Sequence, residues 1–264
     1  MHTRSGDADI FYTTLGDGPG IVLLHAFPAN HEMWLPVARS LAAKYRVTLV
    51  DLRGHGLSSA GYGPATMQKQ AADVAAVCKA AGVSGSIFAG VSIGGYILFE
   101  FWRTFRDQVR GLILADTRAS ADTADARAAR LQSAQDVLER GTDQFINSML
   151  PKLLGETTRK NRSDLVDAAR KMMSRTGSVG VSAALQGMAA RPDSTTTLKT
   201  INVPTLVMVG DEDTLTPIPD AQLMHQSIKG SQLRVIPHAG HYAVFEDPEE
   251  TARVMRAFMD NLRA

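Results

Sequence analysis

The 264-residue sequence predicts an α/β chain, with a mostly parallel central sheet flanked by helices and one helical insertion. Three observations point there. Short apolar runs alternate with segments of helical period, as parallel strands joined by crossover helices require. Between Arg118 and Arg191 the strand signals stop, and Ala, Arg, Ser and Met recur at helical spacing, as in Leu131, Ala134, Val137 and Leu138. After this stretch the strand signals resume. The length is near the upper end of what one hydrophobic core serves, so a single domain with an insertion fits better than two complete domains. The expected division is therefore a core of residues 1–117 and 192–264, with a helical cap over 118–191.

Taken in order, the expected strands are Ile21 to Leu24, Val47 to Val50, Ser86 to Val91, Leu112 to Ala115, Thr205 to Val209 and Leu233 to Ile236. Each ends in residues able to do chemistry, and in an open parallel sheet the carboxyl ends of the strands form the ligand crevice. The expected helices are Glu32 to Lys44, Thr66 to Ala81, Gly95 to Arg106, Pro219 to Ile228 and Pro248 to Asn261. The last has a strong start signal in Asp247-Pro248-Glu249-Glu250: a cap, a proline at the first helical position, and acids where the helix dipole favours them. The polar stretch Arg191 to Thr197 is the expected return hinge from the insertion. Met149, Met172, Met173 and Met188 in the insertion suit plain core or an adaptable apolar pocket, with core weighed ahead.

Composition narrows the function classes. Hydrophobic residues make up 44% and charged residues 21%, a globular balance that excludes a disordered or collagen-like chain. Lys plus Arg total 28 against 27 for Asp plus Glu, so no overall field recommends nucleic acid or an anionic membrane as partner. A small substrate without strong charge is expected. Cys78 is the only cysteine, so no intrachain disulfide can form, and its Ala-rich surroundings suit a small buried hydrophobe. No leader and no segment of membrane-span length is visible, which makes the cytoplasm the default location.

Gly90-Val91-Ser92-Ile93-Gly94-Gly95 follows an apolar strand and opens a helix, the context that a G-x-S-x-G nucleophile turn needs. Bulky residues at Gly90 or Gly94 would strike the adjoining strand and helix. The serine hydroxyl would project from the sheet, and the Ile93 amide would lie at a helix N-terminus able to stabilise an oxyanion. A glycine-rich packing turn or a nucleotide-binding loop is the alternative, but the glycine spacing does not suit a dinucleotide and the strand is not the first in the chain. Serine needs a base to take its proton and a carboxylate to orient that base. Gly210-Asp211-Glu212-Asp213 and Pro237-His238-Ala239-Gly240-His241 supply candidates in the order Ser, Asp, His. His241 is preferred to His238 because it follows Gly240 in a loop, and Asp213 competes with Asp211 and Glu212. At the end of the first central strand, Leu24-His25-Ala26-Phe27-Pro28 offers a second oxyanion amide, that of Phe27. The segment Asp51 to Ser58 reads as structural. Metal binding finds no support, because His31-Glu32 has no second histidine at helical spacing, and no cofactor is expected.

Together these segments resemble the α/β-hydrolase superfamily, and within it the esterase, 3-oxoadipate enol-lactonase, perhydrolase and C–C hydrolase branch. The resemblance runs from about Asp9 to Leu262. It implies Ser92 as nucleophile, His241 as base, Asp213 as orienting acid, and oxyanion amides at Phe27 and Ile93. It also implies hydrolysis of a small carboxylic ester or lactone through an acyl-enzyme, by a monomer or small homo-oligomer. A C–C hydrolase or perhydrolase with the same three residues, or a receptor on the same fold, is the alternative. Family members commonly carry Gly where Ala26 stands, so a positive φ there would strain the Phe27 turn.

Overall fold

The computed structural model describes residues 1–262. Eight strands form one sheet: β1 (His2–Ser5), β2 (Ala8–Leu15), β3 (Gly20–Leu24), β4 (Arg46–Val50), β5 (Ser86–Val91), β6 (Val109–Ala115), β7 (Thr205–Gly210) and β8 (Gln232–Ile236). Their spatial order is β1-β2-β4-β3-β5-β6-β7-β8. The pairings β1/β2 and β2/β4 are antiparallel and the others parallel. Because β4 lies on one side of β3 and β5 on the other, the connections leave the sheet in opposite directions between β3 and β5. That divergence opens a crevice at the carboxyl ends of these two strands.

The six anticipated strands are present with small shifts of their ends, but the hairpin β1–β2 was not anticipated. Its turn is Gly6-Asp7, with Gly6 at φ 55°, where only glycine is unstrained. In β2 burial alternates at Ala8, Ile10 and Tyr12, the signature of a half-buried antiparallel strand.

The helices are α1 (Leu35–Leu41), α2 (Met67–Ala81), α3 (Ile93–Phe105), α4 (Ala124–Arg140), α5 (Asp143–Leu153), α6 (Glu156–Asn161), α7 (Ser163–Met173), α8 (Ser178–Ala189), α9 (Thr195–Leu198), α10 (Ile218–Ser227), α11 (Ala243–Glu246) and α12 (Pro248–Asn261). The helix expected over Glu32 to Lys44 is instead a 3-10 turn, His31–Trp34, followed by α1. Pro36 explains the break: it has no N–H to continue the preceding turn but fits the first turn of a new helix. Period-two alternation sorts the core into two layers. Val22, Leu24 and Phe88 pack with α2, α3 and α10, whereas Ile21, Leu23 and Ala89 pack with α1 and α12. Cys78 lies in the first layer, and burial pushes its thiol up to about 12, so it is an inert hydrophobe.

Helices α4 to α8 lie between β6 and β7, and α4 packs chiefly on α8. The two ends of this segment are stitched together. Asp122 pairs with Arg130 at 2.6 Å and Arg191 at 2.8 Å, and the Ser194 amide donates to the Ala119 carbonyl at 2.8 Å. The stretch anticipated as a polar hinge is therefore tied down, with Arg191 buried and stacked over Tyr96. Helix α8 also approaches the core backbone closely. A Cβ at Gly187 would lie 1.9 Å from the Ala65 carbonyl oxygen, a position only glycine can occupy.

Candidate active site

Ser92 stands between β5 and α3 at φ 53° and ψ −112°, outside the regions an L-residue ordinarily occupies. Such a conformation costs on the order of 1–3 kcal/mol and persists only where its surroundings over-determine it. Here they do. The Ser92 amide donates to the Ala115 carbonyl at 3.1 Å, and its own carbonyl accepts from the Thr117 hydroxyl at 2.8 Å and the Gly95 amide at 2.9 Å. The glycines permit the approach: a Cβ at Gly90 would lie 2.4 Å from the Gly94 carbonyl carbon, and one at Gly94 would lie 2.7 Å from the Leu24 carbonyl oxygen.

His241 sits in the loop between β8 and α11, and Asp213 in the loop after β7; both are buried. His241 Nδ1 and Asp213 Oδ2 are 2.9 Å apart. The same carboxylate accepts the Leu215 amide at 2.8 Å, the Thr216 amide at 3.1 Å and the Thr216 hydroxyl at 2.6 Å. Burial works to raise the Asp213 pKa, but the charge and hydrogen bond of His241 and the bonds from Thr216 outweigh it and hold the group at about 2. The competitors point elsewhere. Asp211 is exposed and accepts the Ala239 amide at 3.3 Å, Glu212 accepts the Thr157 amide at 2.8 Å, and His238 is exposed at φ 59°.

The Phe27 amide, after β3, and the Ile93 amide, at the first position of α3, make no hydrogen bond within the protein among the described residues. Buried N–H groups are seldom left so, and two unpaired donors next to one serine suit an oxyanion. Ala26 does not adopt a positive φ, so the alanine at this position introduces no strain. Tyr242, which directly follows His241, donates its hydroxyl to the Phe27 carbonyl at 3.1 Å. Thr216, Thr117 and Tyr242 are the neighbours that sequence reasoning missed. Only Thr216 carried a signal, because Asp213-Thr214-Leu215-Thr216 reads as a turn whose first carboxylate accepts the amides that follow.

Phe27, Ser92, Thr216 and His241 all line one cleft of about 570 Å³, roofed by residues of the inserted helices including Met149 and Met188. Met172 and Met173 do not reach it and lie in the core layer of α1 and α12. A larger hollow of about 920 Å³ lies at the opposite end of the sheet, among Gly20, Ser86 and Arg110, away from these groups. No cluster of three or more His, Cys, Asp or Glu able to hold a metal ion occurs among the described residues. No helix among them is long and apolar enough to cross a membrane.

A buried histidine held by a carboxylate and a serine on a strained strand-to-helix turn thus line one cleft at the carboxyl ends of an α/β sheet. The profile of the alpha/beta hydrolase fold matches residues 19–248, and the chain belongs to that family. The 3-oxoadipate enol-lactonase 1 of Acinetobacter baylyi is 27% identical over 249 residues, 94% of this chain and 91% of the relative. A thermophilic esterase from Thermogutta terrifontis, solved with malate bound, superposes with a TM-score of 0.97 at 34% identity, over 100% of this chain and 99% of its own. The enol-lactonase from Burkholderia xenovorans LB400 shares the fold with a TM-score of 0.91 at 22% identity, covering 98% of this chain and 100% of its own.

Proposed function

We propose that this chain hydrolyses small carboxylic esters or lactones through an acyl-enzyme on Ser92, with residues 118–191 acting as a cap over the cleft. The single observation that carries the reading is the 2.9 Å bond between His241 and Asp213 within the cleft that Ser92 also lines. Ser92 Oγ attacks the substrate carbonyl, and its proton passes to His241 Nε2. Asp213 holds the other ring nitrogen, fixing the tautomer that leaves Nε2 free to accept. Charge developing on the carbonyl oxygen is met by the amides of Phe27 and Ile93. Collapse expels the alcohol, which takes the proton from His241, and a water activated by His241 then releases the acid. The esterase and enol-lactonase relatives support the choice of substrate class.

The test is hydrolysis of a p-nitrophenyl ester. Ser92→Ala and His241→Ala should each lower kcat by at least about a thousandfold, because such residues act as a unit. A phosphonate should inactivate the native enzyme, with the adduct on the peptide containing Ser92. Near-native turnover in purified Ser92→Ala, or an adduct elsewhere, would reject the assignment.

A further inference from the structure

The turn between α7 and α8, far from Ser92 in sequence, touches the loop after β3 that carries Phe27. The Thr176 hydroxyl donates to the Pro28 carbonyl at 2.9 Å, the Asn30 side-chain amide donates to the Met172 carbonyl at 3.5 Å, and Arg175 pairs with Glu32. The ion pair is partly exposed and contributes little, whereas Thr176 is fully buried and its bond is shielded from water. On α5, Phe145 meets the ring of Phe27 edge-on, with centroids 5.7 Å apart.

The Thr176 bond reaches the Phe27 amide through the backbone. Pro28 C=O and Ala29 N–H belong to one trans peptide unit and point in opposite directions. Ala29 N–H donates to the Ala26 carbonyl at 2.9 Å. That carbonyl and Phe27 N–H form the next trans unit of the relay, so holding the carbonyl on one side aims the N–H to the other. His25 completes the hold. Its Nε2 accepts the Leu52 amide at 2.9 Å, so Nδ1 carries the proton and donates to the Ala26 carbonyl at 2.8 Å. Burial, reinforced by His55, lowers the His25 pKa to about 3, which keeps the ring neutral and this donor in place at neutral pH. Hydrogen bonds linked in this way also polarise one another.

We infer that Thr176 is a positioning residue: its hydroxyl, supplied by the inserted helices, fixes the direction of the Phe27 N–H that receives the oxyanion. This rests on the acyl-enzyme reading above and gives the insertion a part in the chemical step, beside covering the cleft.

The test is Thr176→Val, which removes the hydroxyl and nearly keeps the shape, assayed with p-nitrophenyl acetate. Its kcat should fall on the order of tenfold with KM within about twofold of native, because a misaimed donor weakens the transition state more than the bound ester. Ethylboronic acid, whose adduct on Ser92 places a negative oxygen where the oxyanion forms, should bind more weakly by the same factor. Thr176→Ser retains the donor and should bring both quantities back to within about threefold of native. Thr176→Cys, the milder change with a weakly donating thiol in the same place, should fall between these variants and carries the test if the valine variant does not fold. Thr205→Val is the control: a buried hydroxyl that also donates to a backbone carbonyl, that of Val203 at 3.0 Å, but at the opposite end of the sheet. It should lower Tm much as Thr176→Val does, with kcat and boronate affinity unchanged. Native kcat and boronate affinity in Thr176→Val, or losses no greater than in Thr205→Val, overturn the inference, and with Ser92→Ala inactive they leave the hydrolase reading intact. Near-native turnover in Ser92→Ala overturns that reading instead, and the inference with it.

Discussion

At the scale of single residues, neighbouring carboxylates have opposite fates because of what each can accept. Asp213 is the one acid of its turn that receives two backbone amides, a hydroxyl and an imidazole, and it stays ionised far below neutrality. Asp213→Asn should therefore lose on the order of a thousandfold or more in kcat for an aryl ester, whereas exposed Asp211→Asn should stay within a few-fold of native. The reverse order would move the orienting acid to Asp211. Asp116, at the end of β6, goes the other way. It is fully buried, and burial, reinforced by the charges of Asp213 and Glu246, raises its pKa well above the usual carboxylate value. Oδ1 accepts the Gly210 amide at 2.8 Å and Oδ2 has no partner. The folded protein thus keeps a proton on Asp116 that the unfolded chain releases above about pH 3.9, so stability falls as pH rises from there toward the raised folded pKa. Asparagine preserves the Oδ1 acceptor and tolerates the positive φ at this position, without the proton. Asp116→Asn should consequently gain in Tm over the native protein as pH rises from about 4 to 8, with the gap closing at acid pH. Parallel Tm curves across that range would count against a protonated Asp116.

At the scale of elements, the inserted helices separate two kinds of methionine. Met149 on α5 and Met188 on α8 face the cleft, while Met172 and Met173 at the end of α7 are core. Their sequence spacing is equally helical, so the expectation of pocket or core could be decided only by which side of α7 meets α5 and the sheet. Met149→Trp should fill part of the cleft and raise the kcat/KM of acetyl over octanoyl p-nitrophenyl esters by about tenfold or more. Met172→Ala should leave that ratio near native and instead cost about 2–5 kcal/mol of stability in a denaturant melt. An unchanged ratio in Met149→Trp would remove α5 from the wall of the substrate path.

At the scale of the whole molecule, two buried or half-buried carboxylates fasten the inserted helices to the loops that carry Asp213 and His241. Glu246 accepts the Gly155 amide at 2.8 Å through one oxygen and the Gly240 amide at 2.9 Å through the other, bridging the α5–α6 corner and the His241 loop. Glu212 takes the Thr157 amide on the same corner. Close backbone contact completes the junction, since a Cβ at Gly240 would lie 2.3 Å from the Gly155 nitrogen. Glu246→Gln keeps the shape but has one acceptor oxygen for two amides. It should lose about 1–3 kcal/mol of stability, the cost of a buried unpaired N–H. Limited proteolysis between residues 118 and 191 should quicken with it. Equal unfolding midpoints and equal cleavage rates for the two proteins would show that this bridge does not hold the corner.

The sequence by itself determined the parallel core, because burial on both faces makes such strands continuous apolar runs, and caps, glycines and prolines act within a few residues of where they are written. It also brought Ser92, Asp213 and His241 forward as candidates, since their places at strand ends follow from the same local signals. The hairpin β1–β2 was equally local, in the Gly6-Asp7 turn and the alternation after it, but its strands are half-polar and only their pairing with β4 makes them part of the sheet. Tertiary structure alone decided the rest. Which acid reaches His241, which methionines line the cleft, and which basic residues stand beside Ser92 there depend on groups far apart in sequence being packed together. Net charge and periodicity sum or average over the chain, whereas a cleft selects a few residues from it, so a chain of formal charge +1 can still line its cleft with Arg118, Arg130 and Lys152 beside a single acid, Asp122.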